Sequence, residues 1–177
     1  MSTVLTRWLV ATVLAVAAIP SPAQDTLEAS VKAAYLYKFL AYVDWPASTF
    51  AGADAPHVIG VMGADAVHAE LRQLVASRPA QGRPLVVRRL AAGDPVEGLH
   101  VLYLGRGVRA AQVAPALAGR PVLLVTDAPS GLAEGGALNF LIVDGRVRFE
   151  AAPAAAERGG LKLSARLLAV AERVLQP

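Results

Sequence analysis

The chain contains no cysteine. Disulfides, thiolate nucleophiles, cysteine-ligated zinc and iron–sulfur clusters are therefore excluded. Charge is sparse: 18% of the 177 residues are charged, and 17 basic against 14 acidic residues leave a net charge of +3. The basic residues are scattered, with Arg88-Arg89 the densest pair, so the basic stripe that nucleic-acid binding needs is missing. The histidines are His57, His68 and His100, and none stands in an HExxH or a close His/Asp cluster, which argues against a zinc site. GxSxG and SxxK are absent, and Ser130 sits in Pro129-Ser130-Gly131, an ordinary turn. No catalytic set, metal or cofactor is expected. The 15 glycines and 12 prolines follow no period, and no solenoid-length repeat occurs.

What is present is apolar sequence. Hydrophobic residues make up 55% and the mean hydropathy is +0.46, which excludes intrinsic disorder. A chain of this length can bury a core without staples. At the N-terminus, Arg7 precedes the apolar run Trp8 to Ile19, and Ser21 and Ala23 stand three and one places before Gln24. This reads as a secretory signal, residues 1–23, leaving a domain at 24–177. The run is too short to span a bilayer, which needs about 20 residues; an uncleaved anchor is the weaker alternative. The mature chain is expected in the periplasm, with no membrane insertion after cleavage.

Asp25 with Glu28 resembles a capping box, opening a helix expected to reach about Val43 and to end before Pro46. Its apolar residues run nearly all round, so it should be covered; Lys32 and Lys38 are its basic residues. Strands are expected at 57–63, 84–90, 100–104 and 121–125, and helices at 65–76 and 108–117. Asp144-Gly145 between Leu138–Val143 and Arg146–Ala151 marks a hairpin. Arg146, Arg148 and Glu150 alternate with Val147, Phe149 and Ala151, a half-solvated strand near a sheet edge on which Arg148 and Glu150 can pair. Pro153 starts a short helix that Gly159-Gly160 breaks; Ser164 caps the last, with Leu167, Leu168, Ala171, Val174 and Leu175 as its core stripe. The predicted fold is α/β: a three-layer sandwich with a mostly parallel sheet, a C-terminal antiparallel hairpin and flanking helices.

Two patterns invite chemistry. Gly105-Arg106-Gly107-Val108-Arg109-Ala110 matches GxGxxA between a strand and a helix, and Asp127 follows Gly107 by 20 residues. Such glycines permit pyrophosphate approach, and the acid binds ribose. A Gly-rich turn is the plainer reading, so a small-molecule or nucleotide site at Gly105, Gly107 and Asp127 is the alternative. Tyr35, Tyr37, Phe39, Tyr42, Trp45 and Phe50 are concentrated in one stretch; they either pack the first helix on the sheet or form a partner surface.

Several stretches resemble the YfiR family. They are Ala33-Ala34-Tyr35-Leu36-Tyr37-Lys38-Phe39, Tyr42-Val43-Asp44-Trp45-Pro46, Ile59–Gly63, His100–Leu104, Pro121–Asp127, Gly131–Phe140, Arg146–Glu150 and Gly160–Leu168. The resemblance runs in order through the mature chain. It implies a periplasmic α/β protein, a homodimer, that binds the periplasmic domain of a membrane-bound diguanylate cyclase and represses it, lowering cyclic di-GMP and biofilm formation. It implies no enzyme. Family members often carry cysteine where Gly60 and Leu99 stand, and Ile-Asn where Ala151-Ala152 stand. Within the best-matching region, Glu150, Arg158, Leu161 and Leu168 are the expected partner contacts; Asp44 and Trp45 are expected to close the first helix onto the core.

Overall fold

The computed structural model describes residues 22–76 and 82–176. The expected signal peptide lies outside these residues except for Pro22 and Ala23. Among the described residues the first helix, α1 (Pro22–Phe39), is already formed at Pro22, so Asp25 lies inside it rather than capping it. Ala29, Ala33, Leu36 and Phe39 are buried along it, as its apolar pattern requires. The helix stops earlier than its periodicity suggests. Leu40–Tyr42 tighten into a 3₁₀ turn, and Val43–Asp44 become an extended strand, β1. The cause is tertiary: β1 pairs antiparallel with β8 (Lys162–Leu163), Val43 opposite Leu163. Local pattern carries no sign of that distant partner.

The remaining strands form one sheet. They are β2 (His57–Met62), β3 (Leu85–Leu90), β4 (Val101–Leu104), β5 (Leu123–Thr126), β6 (Leu138–Val143), β7 (Arg146–Ala151) and β9 (Arg173–Val174), in the order β3-β2-β4-β5-β6-β7-β9. Pairing is parallel except between β6 and β7. The strand order reverses between β2 and β4, which makes a topological switch point.

Side chains alternate across the sheet. Ile59, Val61, Val101, Tyr103, Leu123, Val125, Leu138, Phe140 and Phe149 join α1 and α2 (Asp65–Val75) in one cluster. Met62, Leu102, Leu104 and Leu124 join Leu99, Ala110 and Leu117 in the other. These two clusters are the two interfaces of a three-layer α/β sandwich. Each fully buried Leu or Phe contributes on the order of 1.5–3 kcal/mol. Tyr35 and Phe39 meet Phe140 and Phe149 with ring centroids 5.2–5.9 Å apart, so these aromatics pack the helix on the sheet.

Two expected helices are shorter than their patterns. Over 108–117 only α3 (Ala110–Val113) is α-helical, and Ala114–Leu117 is 3₁₀; Pro115 lacks the amide that would continue the ladder. The last helix, α5 (Ala165–Ala169), is capped by Ser164 as expected, but Val174 belongs to β9, which pairs with β7. Before it, α4 (Pro153–Arg158) starts at its proline as predicted. Asp144 and Gly145 have φ of 48° and 71°, the left-handed pair that a type I′ hairpin demands. β6 enters the sheet late: Leu138 stands opposite Val125 and Asn139 opposite Thr126, the last residue of β5. Leu141–Val143, with Arg146–Arg148, therefore reach roughly 10 Å past the end of β5.

Candidate functional site

The two sites anticipated on separate grounds, around Asp127 and around Glu150, converge at the carboxyl ends of the strands. Asp127 follows β5. It is 8% exposed and accepts from Lys32 Nζ at 2.5 Å and from the Tyr103 hydroxyl at 3.3 Å. Lys32 projects from α1 and is 2% exposed. It also pairs with Glu28, one turn earlier, which in turn accepts from Arg106 at 2.7 Å. Arg106 Nε lies 3.4 Å from Asp127. Two acids and two bases thus close a ring at the switch point, satisfying the rule that buried charges are paired. Burial, and then the Asp127 carboxylate, push the Tyr103 phenol well above its ordinary value, so it remains a donor.

The glycines of the GxGxxA turn have a structural reason. A Cβ on Gly105 would lie 2.2 Å from the Gly63 carbonyl oxygen, and the Gly105 amide donates to Met62 O at 2.9 Å. The turns after β2 and β4 press against each other there, and only a glycine fits. A Cβ on Gly107 would meet nothing within 4 Å. The start of α3 already holds an anion: Glu134 accepts from the Ala111 amide at 3.1 Å and pairs with Arg109. That amide bond, with help from Ser130, holds the Glu134 carboxyl below its ordinary value. Glu134 therefore takes the place at the start of α3 where a pyrophosphate would be recognised, and Asp127, the acid that would bind ribose, is already engaged by Lys32, Arg106 and Tyr103. A cavity of about 250 Å³ remains beside the ring, lined by Lys32, Asp65, Tyr103, Arg106 and Asp127.

Glu150, read from sequence as an exposed contact, is 6% exposed. It pairs not with Arg148 but with Arg173 of β9, through Nε at 3.0 Å, and accepts from Asn139 Nδ2 at 3.1 Å. The edge strand β9, absent from the sequence reading, brings Arg173 across. Asn139 Oδ1 accepts from Thr126 Oγ1 at 2.7 Å and from the Ala128 amide at 3.1 Å. Gly131 packs against this chain of bonds: a Cβ there would lie 2.0 Å from Thr126 Oγ1 and 2.5 Å from Asn139 Oδ1. That crowding accounts for the glycine opening the Gly131–Phe140 stretch. A cleft of about 460 Å³, lined by Arg106, Asp127, Leu141, Glu150 and Arg173, joins the two networks.

The other anticipated contacts lie apart from this edge. Leu161 is 2% exposed and belongs to the core under α1. Leu168 is half-buried against that core. Arg158 is exposed at the end of α4 and lines a cleft with Leu117 and Leu124.

At the opposite end of β2 and β4, His57 and His100 sit with rings 5.2 Å apart beneath Trp45 and Phe50. Arg83 caps Phe50 at 4.1 Å. His100 Nδ1 accepts the Val58 amide at 3.1 Å, which fixes it as the neutral tautomer. Burial, then the His57 imidazole and Arg83, push its pKa down to about 4.

A family model described as YfiR/HmsC-like matches residues 29–172, which takes in every strand except β9 and both networks except Glu28 and Arg173. The chain belongs to the YfiR/HmsC-like family. No curated protein matches it. Membership in the YfiR/HmsC-like family supports, at family level, a periplasmic protein that regulates diguanylate cyclase activity and is regulatory rather than catalytic. Among the described residues no helix is long and apolar enough to cross a membrane.

Within this YfiR/HmsC-like chain, sequence reasoning missed Lys32, Tyr103, Arg106, Asn139 and Arg173 as partners of the two named acids. Two of them left a signal. Lys32 is a cation on a helix that is apolar nearly all round, and Asn139 interrupts the apolar strand Leu138–Val143. Both are the sort of polar residue that is buried only with a partner.

Proposed function

We propose that this protein is an exported repressor that binds the periplasmic domain of an inner-membrane diguanylate cyclase and holds it inactive, lowering cyclic di-GMP. The observation that carries this reading is the YfiR/HmsC-like match across 29–172. Repression is a population shift: the regulator binds the inactive sensor conformation better than the active one, and the difference in affinity sets the degree of control. Of the contacts expected from sequence, Arg158 is accessible for direct contact and Leu168 partly so. Glu150 and Leu161 act from inside, Glu150 by anchoring β9 to β7 and Leu161 by seating the segment after α4. The protein acts as a homodimer in this reading.

The alternative, a nucleotide site at Gly105, Gly107 and Asp127, is disfavoured by one observation: Asp127 and the start of α3 are already satisfied by Lys32 and Glu134. The test is deletion of the gene with measurement of cellular cyclic di-GMP, complemented by wild-type, Arg158→Glu and Glu150→Gln chains. Cyclic di-GMP rises on deletion and falls on complementation with the wild type, and Arg158→Glu complements poorly at normal periplasmic abundance. An unchanged level on deletion, with the protein detected in the periplasm of the parent strain, overturns the cyclase role.

A further inference from the structure

A cleft of about 390 Å³ opens where the 3₁₀ turn Ala114–Leu117, the approach to β5 and α4 meet. Its walls are apolar, supplied by Leu117, Val122, Leu124 and Ala155. No aspartate or glutamate lines it, and its charged groups are two guanidiniums, Arg120 and Arg158. Arg120 is taken by Glu97 at 3.0 Å. Arg158, exposed in the last turn of α4, has no ion pair or side-chain hydrogen bond among the described residues. At the carboxyl edge Arg89, Arg106, Arg109 and Arg173 each hold a carboxylate.

The placement of Arg158 is built into the backbone. Gly159 follows it, and a Cβ at Gly159 would lie 2.6 Å from the Arg120 carbonyl oxygen. Only glycine lets the end of α4 press on the 118–120 segment, and that contact sets both arginines at one mouth. An apolar hollow of this size with one uncommitted charged group has the make-up of a small-molecule site. A guanidinium recognises a carboxylate through two parallel N–H donors and repels an amine.

We propose that this cleft binds a small apolar monocarboxylate, its carboxylate on Arg158 and its hydrocarbon body over Leu117, Val122 and Leu124. The site is separate from the GxGxxA turn; it shares Arg158 with the proposed partner surface, but its test uses the purified protein alone, so either reading can fail without the other.

The experiment is calorimetric titration with octanoate, below its micelle concentration, with octylamine and 1-octanol as charge controls. Octanoate binds; octylamine and octanol bind at least about tenfold more weakly. Arg158→Gln weakens octanoate by about tenfold, the loss expected for one charge-assisted contact. Ala118→Trp, an exposed position on the rim, abolishes binding by filling the cleft. Both variants keep the wild-type thermal midpoint; should Arg158→Gln lower it, Ala118→Trp decides. Absence of heat with octanoate, undiminished affinity in either variant, or equal affinity for octylamine overturns the proposal.

Discussion

Lys32 and Asp127 meet 2.5 Å apart, linking the N-terminal helix to the end of a central strand across 95 residues of sequence. Both are buried, and each has a second opposite charge within reach, Glu28 for the lysine and Arg106 for the aspartate. Breaking such a pair leaves a charge in low dielectric, whereas removing both ends together leaves an apolar contact. Lys32→Met is expected to lower stability by about 3 kcal/mol. Lys32→Met combined with Asp127→Leu is expected to cost less than the two single changes added together. Urea unfolding of the single and double variants measures the coupling; strict additivity would show that the pair does not hold the helix down.

His100 gives a signed pH dependence. Its folded pKa is about 4 and its ordinary value 6.5, so the unfolded chain takes up the proton first. Its contribution is complete above about pH 6.5 and is lost as pH falls towards 4, by about 3 kcal/mol at full titration. Protonation also turns Nδ1 from acceptor to donor and breaks its bond with the Val58 amide. In His100→Asn the amide oxygen can take that N–H without titrating. The difference in unfolding free energy between wild type and His100→Asn should therefore change between pH 6.5 and 4, and a constant difference would refute the assignment.

Gly60 and Leu99, where relatives often carry cysteine, face each other. A Cβ on Gly60 would lie 3.0 Å from Leu99 Cδ1, and 2.7 Å from Leu90 Cδ1. The leucine methyls fill the space that the glycine leaves. Gly60→Cys with Leu99→Cys is expected to form a disulfide under oxidising conditions. Closing a loop of about 40 residues, it should stabilise by roughly 3–4 kcal/mol over the reduced form. Thiol titration and unfolding with and without reductant test this; free thiols after oxidation would count against the contact.

Gly131→Ala tests the Thr126–Asn139–Glu150 network. The added methyl would overlap Thr126 Oγ1 and Asn139 Oδ1, both buried and bonded. Relief requires breaking their hydrogen bond, so a loss of at least about 2 kcal/mol is expected in thermal or urea unfolding. A near-neutral effect would mean that the turn can move away from the network.

The strands and the hairpin were legible because alternation, glycine and Asp-Gly act locally. Six sheet strands lie within two residues of where pattern put them, and Ser164 caps the last helix as expected. What pattern could not reach were contacts between distant segments. The end of α1 is set by Leu163, the end of the last helix by β7, and the burial of Glu150 by Arg173. A charge alternating with apolar residues reads as solvated, and nothing within β7 says that an arginine 23 positions later will cover it. The candidate site was legible in its two acids alone. Its cations lay on other elements, and only the fold brings them together.

The hairpin tip is a cantilever. β5 ends at Thr126, so the outer part of β6 has no strand beside it except β7, and Ile142 is 43% exposed there. The root of the hairpin is clamped by Asn139 and Glu150, while Asp144, Gly145 and Arg146 at the tip are exposed. Amides at the tip will exchange with solvent by local opening, long before the core unfolds. Side chains there can change without taxing the fold, because the layers that hold the architecture lie below them.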